Sequence, residues 1–204
     1  MKKIHFISGS ILTIFVCAHL FNHCYSVMGA DKHIELMAAL RYFYRNTFVE
    51  IILLLTVAIQ IFSGLELFIR KLKIVVTKFE KLQIWTGLYL AIFFAIHLSA
   101  VLAGRLLFKL DTNYYFGVAG LNSFPFNLFF IPYYALAIMS FFGHIAALHN
   151  KKMKFNILGM SPNTQSIMLL IIGIVITIFI FYGLTNHFRG LEIPKEYNVL
   201  IGKK

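Results

Sequence analysis

The chain has 204 residues, of which 59% are apolar, 16% aromatic and only 13% charged, with a formal net charge of +11. A soluble domain carries about 25% charged residues, so this composition cannot cover a globule with polar surface. No basic stripe interleaved with aromatic residues lies outside the apolar segments, which excludes nucleic acid as a partner and assigns the positive charge to topology and membrane lipid.

Five apolar segments follow one another, each near the ~20 residues that cross a hydrocarbon core: residues 4–25, 48–69, 82–106, 127–150 and 166–185. None alternates in the manner of a strand, and lipid leaves no backbone polar group unpaired, so all five are predicted to be helices. The first follows Lys2 and Lys3 but lacks a small-x-small cleavage site, so it is expected to remain as a span. Its two cysteines, Cys17 and Cys24, are two turns or ~10 Å of rise apart and cannot bridge each other. No C-x-x-C-H is present, which excludes a covalently attached haem. Residues 33–44 read as a short surface helix, with Arg41 and Arg45 at its end. Glu50 opens the second segment, and Glu66 near its close is spaced to pair with Arg70. Pro125 and Pro132 mark the entry of the fourth segment, and Pro162 helps end the loop after it. The division expected is a five-helix domain over 1–188 and a polar tail without a motif over 189–204.

Lys2 and Lys3, then Arg70, Lys71, Lys73, Lys78 and Lys81, then Lys151, Lys152 and Lys154 fall on one face of such a bundle, ten basic residues in all. Positive residues stay in the cytoplasm. The expectation is an all-α integral membrane protein with its N-terminus cytoplasmic and its C-terminus outside.

The strongest signal is internal. Residues 8–20 read SGSILTIFVCAHL and residues 86–98 read TGLYLAIFFAIHL. Both fit (S/T)-G-x-x-L-x-I-F-x-x-x-H-L without a gap. His19 and His97 each lie about fifteen residues, or ~22 Å, above the start of a helix running from inside to outside, so they share one depth. Two imidazoles at one height on parallel helices can ligate a single metal centre from opposite sides. Gly9 and Gly87, two to three turns below, would let a neighbouring helix or a bulky ring approach closely.

Zinc or copper would need three or four ligands, and no third lies at this depth. Haem brings four nitrogens of its own and needs one or two axial ligands. Haem b held by His19 and His97 is therefore the metal site expected, with His23 on the same helix face as a rival ligand. The plainer alternative is a pair of buried histidines bonded to neighbouring carbonyls or hydroxyls.

The run G-x-x-L-x-x-F-x-x-x-H-L, Glu50 opening the second helix, Leu82-Gln83 leading into Gly87 and His97, and a histidine late in the fourth helix resemble the five-helix cytochrome b anchor of bacterial succinate dehydrogenases and quinol:fumarate reductases. The resemblance covers all five helices, and His5 also fits it. It implies a distal haem on helices 1 and 3, at positions matching His19 and His97, and a proximal haem on helices 2 and 4. His144 fits the helix 4 position, but counting from Glu50 to Gly64 puts the helix 2 ligand on Gln60. A carboxamide is a weak iron donor, so one haem is expected rather than two. His149, the nearest substitute, is turned roughly 140° from His144.

Haem propionates need cationic partners, which Arg105, Arg45 and Arg41 can supply at the outer rim. Glu50 is a candidate proton acceptor in quinol oxidation, with stabilisation of the helix N-terminus as its simpler role. The function implied is an electron-transfer subunit between quinone and a cytoplasmic iron–sulfur protein joined to a flavoprotein, in the bacterial cytoplasmic membrane. A stand-alone haem protein and a haem-free transporter or scaffold are the alternatives.

Overall fold

The computed structural model describes residues 1–203. Helix α1 spans Lys2–Cys24 and runs into a 3₁₀ turn, Tyr25–Met28. It is followed by α2 (Ala30–Tyr44), α3 (Thr47–Lys71), α4 (Lys78–Leu106), α5 (Tyr114–Val118), α6 (Asn127–Lys152) and α7 (Pro162–Leu184). Five of these, α1, α3, α4, α6 and α7, are long and apolar enough to cross a membrane. They correspond to the five apolar segments.

The helices outrun those segments where capping chemistry starts them early. Thr77 accepts from the Glu80 backbone N–H while the Glu80 carboxylate accepts from that of Thr77, a reciprocal cap that begins α4 a turn before its apolar run. Ser161 caps α7 by accepting from Thr164, with Pro162 at the first helical position. Pro132 lies inside α6 rather than at its entry.

The five long helices form a ring. α1 packs on α3, α3 on α4, α4 on α6 and α6 on α7, and α7 returns to α1. Lys2 of α1, Lys71 of α3, Gln83 of α4 and Lys151 of α6 border one cavity. Helices α1 and α4 therefore leave this basic end, while α3 and α6 arrive at it. α1 and α4 thus run parallel across a diagonal of the bundle.

The polarity is inside out. Large apolar residues such as Ile14, Phe62 and Val175 are exposed on the outer faces, whereas Ser8, Thr56, Ser63, Thr86, Ser166 and Thr177 are buried between helices. Five of these hydroxyls, all but that of Ser8, donate to the carbonyl four residues back, so each occupies little space and leaves no donor unpaired. This is the arrangement expected where the surrounding solvent is lipid and helices meet through small residues. At Gly183 the Ser26 side chain and the backbone of Val27 come so close that no Cβ would fit.

The far end is closed by α2, α5 and the C-terminal segment. Residues 189–203 include a 3₁₀ stretch, Lys195–Ile201, that buries Tyr197 and Ile201. The Tyr197 hydroxyl donates 3.0 Å to the Asp111 carbonyl and lies 2.9 Å from Asn113 Oδ1. Burial pushes the Tyr197 phenol up to about 12.

Candidate cofactor site

Two polar levels lie inside the ring, one toward the far end and one at the basic end. At the outer level α1 contributes His19 and α4 contributes His97, with ring centroids 6.2 Å apart and planes inclined by 65°. A metal–imidazole bond is about 2 Å long, so two imidazoles on opposite sides of one ion have ring centres roughly 6 Å apart. The sequence expectation that these rings meet across the bundle is met in the fold. Phe93, one turn below His97, stacks on it at 5.1 Å, and Phe15 stands in the same relation to His19 at 5.9 Å. The shared Ile-Phe of the internal repeat thus gives each imidazole an aromatic wall from its own helix. Tyr134 of α6 meets His97 edge-on.

His23, the rival ligand, adjoins His19. Its Nε2 is 3.1 Å from His19 Nε2, and its Nδ1 is 3.4 Å from Nε2 of His33 on α2. Asn22 closes the series at 3.3 Å from His33. A chain of imidazoles therefore leads from the bundle interior to the far-end surface helix. His33 is fully buried, and burial, aided by the proximity of His19 and Arg41, holds it down at about 4. Among the described residues no group of three or more His, Cys, Asp or Glu side chains is arranged to hold a metal ion.

The outer-rim cations take partners other than the imidazoles. Arg105 forms a two-pronged ion pair with Glu50, joining the end of α4 to the start of α3. Arg41 pairs with Asp111 at 2.7 Å, and Arg45 donates to Thr112 at 2.7 Å. Glu50, singled out as a proton acceptor, and Arg105, singled out for a propionate, are each other's partner.

At the basic end, His5, Gln60 and His144 border a cavity of about 370 Å³ that is apolar over most of its wall. Three glycines make room for these side chains. A Cβ on Gly64 of α3 would lie 3.4 Å from the His5 ring, one on Gly87 of α4 would lie 3.1 Å from the His144 ring, and one on Gly9 of α1 would lie 3.2 Å from the Gln60 amide. The close approach expected at Gly9 and Gly87 is thus taken up by side chains of the adjoining helices. His144 donates from Nδ1 to the Gln83 carbonyl at 3.1 Å. His5 Nδ1 is 2.9 Å from Ser63 Oγ, and the Gln60 amide nitrogen is 3.2 Å from His5 Nε2. Ser8 holds the other end of that amide, donating to Gln60 Oε1 at 2.6 Å.

His149 faces away from this level. Its Nε2 donates to Gln165 Oε1 on α7 at 2.8 Å, so it is a link between α6 and α7. The sequence reading gave His5 no role beyond its fit to the resemblance, and His33 none. His5 was legible in principle, because it precedes His19 by fourteen residues, close to four full turns, and so shares its face. His33 gave no sign, since an isolated histidine in a polar surface segment looks solvated.

Comparison of the chain with protein-family models, with curated proteins and with solved structures finds no match.

Proposed function

We propose that this chain is a haem b-binding membrane anchor of a succinate:quinone or quinol:fumarate-type oxidoreductase, passing electrons between quinone and a cytoplasmic iron–sulfur partner joined to a flavoprotein. The observation that carries the reading is the pair His19 and His97, facing each other at 6.2 Å from parallel helices across the bundle. Bound there, haem supplies one-electron transfer within the bilayer. The chain's own contribution is axial ligation by the two imidazoles and an aromatic wall of Phe15 and Phe93 that keeps water out. Protons released from a quinol at this end have the imidazoles of His23 and His33 beside the pair as candidate acceptors, with the Glu50 carboxylate at the same end of the bundle. Ten basic residues concentrated at the opposite end suit a cytoplasmic placement of that end in a bacterial inner membrane, where the soluble partners would dock.

A second reading, a stand-alone transmembrane haem protein, is favoured by Gln60 standing where the resemblance implies a ligand on α3. The deciding experiment is purification from native membranes with haem stoichiometry and redox difference spectra, repeated for His19→Ala and His97→Ala. Each substitution is expected to remove the same haem signal. An unchanged spectrum in both would refute the assignment of the pair, and a wild-type protein without haem would leave a haem-free transporter or scaffold. Haem without flavin or iron–sulfur subunits would select the stand-alone reading.

A further inference from the structure

The basic-end cavity is open on one side. Its wall comes from α1, α3, α4 and α6 and takes nothing from α7, although α7 stands between α1 and α6 in the ring. α1 and α7 meet at the far end, where Ser26 and Val27 press on Gly183. At the basic end Lys152 of α6 reaches across to α1, its ammonium 3.5 Å from the centre of the Phe6 ring. Phe6 and Ser10 of α1 border the cavity and are both exposed. The cavity therefore opens sideways to lipid between α1 and α6. We propose that it holds one anionic phospholipid, with the phosphate seated between Lys2 of α1 and Lys71 of α3 and one acyl chain laid inward along the bundle. This site stands whether or not the outer imidazoles hold haem.

Charge points to the headgroup. Lys2, Lys71, Lys151 and Lys152 all border the cavity. Two of them have partners on the chain: Lys151 lies 3.4 Å from the Glu80 carboxylate, and Lys152 sits over Phe6. Among the described residues Lys2 and Lys71 have no ion-pair partner. Lys71 is half-buried, and a cation drawn out of water is costly until an anion joins it. A phosphate accepts charge-assisted hydrogen bonds from several ammonium groups at once. Basic pockets between membrane helices take anionic lipid headgroups for this reason.

Length points to the chain. The wall runs along α1 from Lys2 to Val16 and along α4 from Gln83 to Phe94, which is ~21 Å and ~17 Å of helical rise. Half of a hydrocarbon core is ~15 Å, so the cavity descends from the lysines through one leaflet, the reach of a single acyl chain. Its volume of about 370 Å³ is small for a ligand pocket, and the lipid's other chain stays outside, in the bilayer. Leu67, Leu90, Phe94, Phe141 and Ile145 line the inner part. The polar groups among them are bonded within the wall, His5 and Gln60 to each other and His144 to the Gln83 carbonyl. On the open side Ser10 and Thr13 donate to the carbonyls of Phe6 and Gly9, so the entrance offers a hydrocarbon chain no unpaired hydroxyl. Inorganic phosphate would use the lysines and leave the apolar length empty. A quinone would fill that length and leave the lysines without an anion.

The test is native mass spectrometry of the full-length protein, purified with any partners, delipidated in detergent and offered phosphatidylglycerol, phosphatidylcholine or inorganic phosphate. The wild type is expected to retain one phosphatidylglycerol per chain, at least ten-fold in preference to phosphatidylcholine, and no inorganic phosphate. Lys2→Gln with Lys71→Gln should lower that retention ten-fold or more, whereas Lys2→Arg with Lys71→Arg should keep it. Lys78→Gln with Lys81→Gln, which removes the same charge from the same end but outside the cavity, should also keep it. Ser10→Trp fills the entrance with every lysine in place and should lose the lipid as well. Far-UV circular dichroism reports that each variant keeps its helices, and the wild-type comparison needs no variant to fold.

A wild type that holds no phosphatidylglycerol, or holds phosphatidylcholine equally well, overturns the proposal. Equal loss from the two Lys→Gln pairs overturns it too, since the lipid would then answer only to the charge of the surface. Retention by Ser10→Trp would place the lipid on the outside of the bundle, with no chain in the cavity. Inorganic phosphate held as tightly as the lipid removes the role of the chain. A haem or a quinone found in the wild type and released by Ser10→Trp gives the cavity to that molecule instead. All of these outcomes leave the assignment of His19 and His97 untouched.

Discussion

Gly173 lies in the middle of α7, where that helix packs on α6. A Cβ placed there would sit 2.6 Å from the Phe142 Cβ and 2.8 Å from its Cγ, whereas ordinary contact begins near 3.4 Å. The Phe142 Cβ is tied to its backbone and cannot swing aside, so Gly173→Ala must push α6 and α7 apart by the difference, 0.8 Å at the point of contact. Overpacking of this kind costs about 1–3 kcal/mol, against which the helix-propensity gain of Ala over Gly returns at most about 1 kcal/mol. The expected net loss is about 1–2 kcal/mol. Reversible SDS titration of the protein in mild micelles, followed by far-UV circular dichroism, measures it. Gly117→Ala serves as the control, because a Cβ there meets nothing within 4 Å. If Gly173→Ala proves as stable as the wild type, the inference that α6 and α7 meet through this glycine is wrong.

Two further outcomes follow from buried polar groups. The folded protein holds His33 at about 4 against an ordinary 6.5, so between those values the unfolded chain binds more protons. The stability this contributes is complete above pH 6.5 and drains away as pH falls toward 4, by on the order of 3 kcal/mol. His33→Gln should flatten that part of the Tm–pH curve, and parallel curves for the two proteins would discount the buried imidazole. Gln165 donates to the carbonyls of Phe155 and Met160 and accepts from His149. Gln165→Leu takes the side-chain partner from the Phe155 carbonyl and from His149, while the Met160 carbonyl keeps the Ile157 N–H, at a cost of about 1–3 kcal/mol. Trypsin should then cut at Lys154 several-fold faster, and an unchanged cleavage rate would show that this loop is held by other contacts.

The spans were legible because lipid allows so few solutions: a long apolar run without alternation is a helix. Their ends were less so, since α4 and α7 begin on polar caps, Thr77 with Glu80 and Ser161 with Pro162, that lie outside the apolar runs. The Glu66–Arg70 pair, at 2.7 Å, was readable because it is local to one helix. The Arg105–Glu50 pair was not, for it depends on how α3 meets α4. His19 and His97 could be placed together from equal heights on parallel helices. His5 and Gln60 could not, because their contact depends on the rotation of α1 against α3. His33 is buried by Asn22 and His23 of α1 and Tyr114 of α5, two elements remote from it in sequence or fold.

The closing of the ring in chain order has a bearing on biosynthesis. The outer imidazoles belong to α1 and α4, so both exist once the third span has been threaded into the bilayer. Neither level is walled until α6 arrives against α4, and α6 also brings His144. During translation the outer pair is therefore complete while the basic-end cavity still lacks a side. Any group that needs His144 must wait for the fourth span to be inserted.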